Sequence, residues 1–189
     1  ERRLEIDEPV DFQIADLLLQ RRERAEKIRS LPQPVKALVM DFDGVFTDNK
    51  VIVLPDSREA VLCNRADGMG IRLLREIGLP MLVLSTEQNP VCHARCRKLQ
   101  LGCLNAVEDK ARALSDWAAD RGIALDKTVY LGNDVNDLEC MEIVGCPVAV
   151  ADAHPAARKA ARIVLSARGG HGAVRELADL ILSQTGDYQ

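Results

Sequence analysis

Apolar residues in this chain come in short blocks, and the blocks alternate between two periods. Val35, Ala37, Leu38, Val39 and Met40 run almost unbroken up to Asp41. A run of that length reads as a parallel strand buried on both faces. Val51 to Leu54, a turn at Pro55-Asp56-Ser57, and Ala60 to Cys63 read as a hairpin. Gly68 to Ile77 has helical spacing and stops at Gly78. The alternation then repeats. Strands are expected at Pro80–Leu84, Gly102–Leu104, Thr128–Leu131, Pro147–Val150 and Arg162–Leu165. Between and after them, helices are expected at Pro90–Leu99, Lys110–Arg121, Val135–Ile143, Pro155–Ala161 and Ala173–Leu182. Strands alternating with helices predict an α/β fold, a Rossmann-like parallel sheet with helices on both faces. In such sheets ligands bind at the carboxyl ends of the strands.

Residues 1–34 follow a different pattern. Phe12, Ile14, Ala15, Leu17, Leu18 and Leu19 suggest one amphipathic helix, Gln20 to Arg29 a solvated continuation, and Pro32 and Pro34 its end. Such a helix has no core of its own, so it must dock on this domain or belong to a preceding one. The division expected is a helical tail over 1–34 and one globular domain over 35–189.

Composition narrows the class. Of 189 residues, 47% are apolar and 29% charged, with a net charge of −4. That suits one globular domain with a real core. No long basic block favours nucleic acid, and no apolar run is long enough to span a bilayer. The charged start Glu1–Glu5 lacks both Met and a secretory pattern, as expected of a piece of a longer cytosolic chain. Six scattered cysteines fit reduced thiols of such a protein. Cys92 and Cys96, four apart on a helix with His93 beside them, are the alternative of a zinc site lacking its remaining ligands.

The polar residues that end the strands carry the chemistry. Asp41 and Asp43 follow the first strand, with Gly44 allowing close backbone approach. Ser85 ends the second, and Asn133, Asp134 and Asp137 follow the fourth. Several carboxylates at one sheet edge repel one another unless a cation joins them, and an all-oxygen set suits Mg²⁺. Taken singly, each residue has a plainer reading. Ser85 can cap the next helix, Lys110 can be a solvated helix lysine, and His171 can be a loop residue among glycines.

In order, Asp41-Phe42-Asp43-Gly44-Val45-Phe46-Thr47-Asp48, Ser85 after Met81-Leu82-Val83-Leu84, Lys110, and Gly132-Asn133-Asp134-Val135-Asn136-Asp137 resemble the four signatures of the haloacid dehalogenase superfamily. The resemblance implies a phosphatase in which Asp41 attacks phosphorus and Asp43 serves as acid and then base. It implies Mg²⁺ on Asp41, the Asp43 backbone carbonyl and Asp134, with Asp137 in support. Ser85, Lys110 and Gly44 would surround the phosphoryl group.

Neither interval, 44–84 or 86–109, has room for a separate cap domain; a small hairpin flap is all that fits. Arg65-Ala66-Asp67-Gly68-Met69-Gly70-Ile71-Arg72-Leu73-Leu74 and Gly169-Gly170-His171-Gly172-Ala173-Val174-Arg175-Glu176 are similar to the capless phosphatases of 3-deoxy-octulosonate 8-phosphate and nonulosonate 9-phosphate. That subfamily implies a homotetramer whose subunits cover one another's sites. It also implies a sugar-phosphate substrate met by Thr47, Arg65, Asp67, Glu87, Arg95 and Lys98, although Glu87, Arg95 and Lys98 also read as a surface charge network. Ser85-Thr86-Glu87 stands closer to the Thr-Gly-Glu of the nonulosonate type than to the Thr-Gly-Arg common in octulosonate enzymes. Ile6 to Ala15 resembles the end of a CMP-sialic acid synthetase. The first expectation is therefore a nonulosonate 9-phosphatase attached to a cytidylyltransferase. The octulosonate 8-phosphatase comes second, and a non-catalytic oligomerisation module third.

Overall fold

A computed structural model describes residues 8–184. The Ile6–Ala15 resemblance therefore falls partly outside the described residues. Helix α1 spans Pro9–Ser30, β1 Ala37–Met40, β2 Ile52–Val53, β3 Glu59–Ala60, α2 Arg65–Glu76, β4 Met81–Leu84, α3 Pro90–Leu99, β5 Gly102–Leu104 and α4 Lys110–Ala119. Then come β6 Thr128–Gly132, a 3₁₀ turn Val135–Asp137, α5 Leu138–Ile143, β7 Cys146–Ala149, α6 Pro155–Ala160, β8 Ile163–Val164 and α7 Ala173–Leu182. None of the described helices is long and apolar enough to cross a membrane.

Six strands form one parallel sheet in the order β5-β4-β1-β6-β7-β8. From β1 the chain winds outward through α2 and α3, then returns through α4 to β6 and winds the other way. Right-handed crossovers in opposite directions put helices on opposite faces. On one face α2 packs on α7; on the other α4, α5 and α6 pack in series. Every residue of β1 and β6 is buried, as their unbroken apolar character requires. Gly70 lets α2 approach α7 closely: a Cβ there would lie 3.0 Å from the Ala178 methyl and 3.1 Å from the Arg175 Cα.

The winding reverses between β1 and β6, which makes their carboxyl ends the crevice of the sheet. Met40 is level with Val83 on one side and Leu131 on the other. The chain therefore leaves the sheet at Asp41, Ser85 and Asn133 along one edge.

Two expectations change. The hairpin pairs only Ile52 with Ala60 and Val53 with Glu59, and both strands are exposed. With no layer above it, its apolar residues lengthen no ladder. The tail helix is continuous through residue 30, and the two halves exchange roles. The apolar half is exposed, Phe12 at 67% and Leu17 at 59%. The charged half docks: Lys27 bonds Glu176 and Ser166, each at 3.0 Å, Arg24 bonds the Ser183 hydroxyl, and Ile28 packs against the core.

Candidate active site

Asp41 is buried where β1 ends, and its amide donates to Leu131 O on β6 at 2.9 Å. Lys110, the first residue of α4, is only 3% exposed. Its ammonium donates to Asp41 Oδ1 at 2.8 Å and to Asp137 Oδ1 at 2.9 Å. Asp137 is fully buried and both of its oxygens are engaged. Oδ1 also accepts the Tyr130 hydroxyl at 2.6 Å, and Oδ2 accepts the amides of Asn133 (2.8 Å) and Asp134 (3.2 Å). Asp137 was expected to support the metal site from behind its direct ligands. It holds Lys110 and the turn after β6 in place, and with both oxygens engaged it acts through those neighbours. Gly132 makes this possible, since a Cβ there would lie 2.6 Å from Asp137 Oδ2.

Gly44 has φ +76°, and a Cβ on it would fall 2.0 Å from the end of the Asn133 side-chain amide. The close approach expected of Gly44 is therefore made to Asn133. With its amide nitrogen turned inward, Asn133 donates to the Asp43 carbonyl at 2.9 Å and to Asp41 Oδ2 at 3.1 Å. The glycine-rich tail is ordered beneath the same loop: Gly170 N donates to Val45 O at 2.9 Å, and a Cβ on Gly169 would strike Gly44 O.

Above this floor lie two adjoining clefts. The first, of about 260 Å³, is lined by Asp41, Asp43, Ser85, Asn133 and Asp134, with Asn49 and Glu87 at its edge. The second, of about 200 Å³, shares Asp43, Asn49 and Glu87 and extends between the hairpin and the start of α3. Glu59 and Asn89 join across it by a hydrogen bond that ties hairpin to helix. Ser85 lines the first cleft and accepts the Glu87 amide at 3.1 Å within the loop, while the cap of α3 is Asn89, whose side chain accepts the Val91 amide at 2.9 Å, so Ser85 is not the helix cap.

Of the six residues expected to touch substrate, only Glu87 lines a cleft within one chain. Thr47 is buried, and its hydroxyl accepts the amides of Gly44 (3.1 Å) and Asn49 (3.3 Å), which locks the loop. Asp67 is buried and accepts the Arg175 amide at 2.9 Å, capping α7 instead of facing the cleft. Arg95 turns to the Asn64 carbonyl at 3.0 Å and so braces α3 against α2. Arg65 and Lys98 are exposed away from both clefts. Conversely, Tyr130, Asn133, Asn49 and Glu59 drew no expected role. A tyrosine in a two-sided buried strand must find a partner for its hydroxyl, and that was the signal available for Tyr130.

The electrostatics follow from burial. Burial and the neighbouring Asp137 push the Asp41 carboxyl up to about 7, against the pull of Lys110. Burial also raises Asp43, helped by Glu87 and Glu59 and opposed by Lys110. Burial alone would lower Lys110, but Asp41 and Asp137 outweigh it and raise the ammonium above its ordinary value. One fixed cation thus stands among several carboxylates.

Comparisons with known proteins meet this geometry. The family model for haloacid dehalogenase-like hydrolases matches residues 101–177. The 3-deoxy-D-manno-octulosonate 8-phosphate phosphatase of Escherichia coli (strain K12) is 34% identical over 153 residues, 80% of this chain and 81% of that one. The chain belongs to the haloacid dehalogenase-like hydrolases. Among solved structures of this kind, a HAD family hydrolase from Streptomyces avermitilis is 50% identical with a TM-score of 0.79, over 83% of this chain and 91% of that one. The 3-deoxy-D-manno-octulosonate 8-phosphate phosphatase of Moraxella catarrhalis, solved with magnesium ion, phosphate ion and a KDO molecule, is 25% identical with a TM-score of 0.80, over 88% and 94%. The chain is thus a phosphatase of the haloacid dehalogenase-like hydrolases, and Mg²⁺ is its cofactor. The donor set fits the ion. Asp41 Oδ2 and the Asp43 carbonyl are brought together by the Asn133 amide nitrogen, which lies within 3.1 Å of both, and Asp134 lines the same cleft. Hard oxygens converging beside a carboxylate that resists ionisation are what a small divalent cation satisfies. The relatives named by substrate carry the eight-carbon sugar, which was the second expectation from sequence.

Proposed function

We propose that this haloacid dehalogenase-like hydrolase removes the terminal phosphate of 3-deoxy-D-manno-octulosonate 8-phosphate through an aspartyl phosphate on Asp41. The observation that carries the reading is Asp41 itself, buried at the cleft floor and held by Lys110 at 2.8 Å, with Asp43 facing both clefts. A carboxylate oxygen of Asp41 attacks phosphorus, and the phosphorus–alkoxide bond breaks. Burial and Glu87 raise the Asp43 carboxyl from its ordinary value, which favours its role as the acid that gives a proton to the departing sugar oxygen. Its carboxylate then takes a proton from water; the hydroxide attacks phosphorus, the bond to Asp41 breaks, and inorganic phosphate leaves. Lys110 and the Ser85 hydroxyl hold phosphoryl oxygens and oppose the charge that develops. Asp41, the Asp43 carbonyl and Asp134 would hold Mg²⁺, which would supply the positive charge that keeps Asp41 ionised and lets a phosphate dianion approach it.

The sugar would extend into the second cleft. Lys50 is the one cation lining that cleft among the described residues, and it is paired with Asp48 at 2.9 Å. A sugar carboxylate therefore calls for positive charge from elsewhere, which supports a homo-oligomer, a tetramer in our reading, whose copies complete one another's sites. Exposed Arg65 and Lys98 are available for that purpose.

A second reading, a nonulosonate 9-phosphate as substrate, is favoured by Glu87. This acidic residue lines both clefts where octulosonate enzymes commonly carry arginine. In that reading α1 with its exposed apolar half tethers the phosphatase domain, residues 35–189, to a cytidylyltransferase. Phosphate release from the two sugar phosphates, measured side by side with Mg²⁺ for wild type and Asp41→Asn, decides. Faster release from the eight-carbon substrate, abolished in the variant, supports the first reading; faster release from the nine-carbon substrate supports the second. No release from folded wild type on either would reject both in favour of an assembly module.

A further inference from the structure

Three cysteines stand together behind the second cleft. Cys92 and Cys96 lie one turn apart on the inner face of α3, each 2% exposed. Cys103, half-buried on the edge strand β5, faces them. The three sulfurs lie within 4.8 Å of one another, and Cys92 Sγ is 3.4 Å from Cys103 Sγ. All three are free thiols. Among the described residues no other group of three or more His, Cys, Asp or Glu side chains comes together in this way. The sequence pairing of these cysteines with His93 is replaced by Cys103. His93 Nε2 is committed to Asn105 Oδ1 at 2.5 Å.

We propose that Cys92, Cys96 and Cys103 form a binding site for a thiophilic d¹⁰ divalent cation, Zn²⁺ in the cell, with water in the fourth position. The geometry suits it. Metal–sulfur bonds of about 2.3 Å in a tetrahedral site need sulfurs roughly 3.8 Å apart, between the 3.4 Å of Cys92 and Cys103 and the 4.8 Å that bounds the three. Thiol–thiol contacts lower the Cys103 sulfur from its ordinary pKa and raise Cys92 and Cys96. Coordination replaces the protons of the three thiols, which pass to solvent. Sulfur ligands also separate this site from the oxygen site at Asp41: Mg²⁺ is not attracted to thiolates, and a soft ion prefers them. Cys92 lies on the wall of the cleft beside Asp43, which gives the ion a route in.

Cd²⁺ is the probe, added to the reduced full chain in excess Mg²⁺. The expected result is a sulfur-to-cadmium charge-transfer absorption that saturates at one equivalent. It should persist in Asp41→Asn and in Cys63→Ser and vanish in Cys103→Ser. A second measurement needs no variant. Bound Cd²⁺ or Zn²⁺ should protect Cys92, Cys96 and Cys103 from alkylation, located by peptide mass spectrometry, while Cys63 stays reactive. Absence of the band, its survival in Cys103→Ser, or equal alkylation with and without metal would each overturn the proposal. Neither readout depends on phosphatase turnover.

Discussion

At the base of the cleft the Asp137 carboxylate receives four donors: the Lys110 ammonium, the Tyr130 hydroxyl and two backbone amides. Removing donors one at a time should therefore have graded effects. Tyr130→Phe leaves Lys110 in place and removes one hydrogen bond, a cost of about 1 kcal/mol. Phosphate release should fall less than about tenfold, because Lys110 still reaches Asp41. Asp137→Asn is different in kind. One end of the amide must present N–H groups to donors, and the buried Lys110 loses half its counter-charge. Stability should fall by about 3 kcal/mol or more and turnover by about a hundredfold or more, read by urea unfolding and steady-state kinetics on the same preparations. Gly44→Ala meets both a left-handed φ and the Asn133 amide; it should cost about 1–2 kcal/mol for the backbone and more in turnover, since Asn133 must move from Asp41. The spacing of Asp41, Asp43 and Gly44 was legible because strand ends are where a parallel sheet presents polar groups. The role of Tyr130 was not, since an aromatic in an apolar strand reads as core until its hydroxyl partner is known.

Boundaries between elements show the same division. Strands β1, β4 and β6 stood where their apolar runs put them, and the starts of α3 and α4 fell at Pro90 and Lys110 as expected. Helix α2 begins earlier, at Arg65, because the Asn64 side chain caps it by accepting the Ala66 amide at 2.8 Å, a signal outranked by the glycines that follow. Arg95 and Lys98 illustrate a limit of periodicity. It places them on α3 but says nothing of which neighbour the guanidinium will meet, and that neighbour is the α2 cap. Docking of α1 is the other contact invisible in the sequence, because its partner lies at the far end of the chain. Glu176 accepts the amides of Ser166 and Ala167 at 2.8–3.0 Å and the Lys27 ammonium at 3.0 Å. Burial alone would raise its carboxyl, but these donors outweigh burial and hold it below its ordinary value. A depressed folded value means the stabilisation is complete above the unfolded pKa, about 4.3, and is lost as pH falls through the folded value. Glu176→Gln should therefore lower stability at about pH 7 by roughly 2 kcal/mol. The difference from wild type should shrink as pH falls through the lowered folded value. A difference that stays constant across that range in urea unfolding would mean the carboxylate charge contributes nothing.

For the molecule as a whole, what is missing from the site matters as much as what is present. Three acidic residues, Asp43, Glu59 and Glu87, line the second cleft, and its Lys50 is already paired. The hairpin beside it is apolar and unburied: Val53 is 65% and Leu62 of the following segment 74% exposed. A hairpin of two short paired segments is marginal by itself. Exposed apolar side chains grouped beside an incomplete anionic-substrate site are explained together if a second copy packs there. Replacing Val53 and Leu62 together by Glu then makes a divided prediction. Sedimentation should show the oligomer dissociating. KM for the sugar phosphate should rise about tenfold or more, as a desolvated contact to its carboxylate is lost. Turnover of a small aryl phosphate should stay near wild type, since Asp41, Asp43, Lys110 and Ser85 all come from one chain. If the variant dissociates and KM holds, substrate recognition is complete within one chain, and the cation for the sugar carboxylate must be Lys50 released from Asp48. If wild type is already monomeric, the apolar hairpin needs another partner, and the exposed half of α1 points to a neighbouring domain of the same polypeptide.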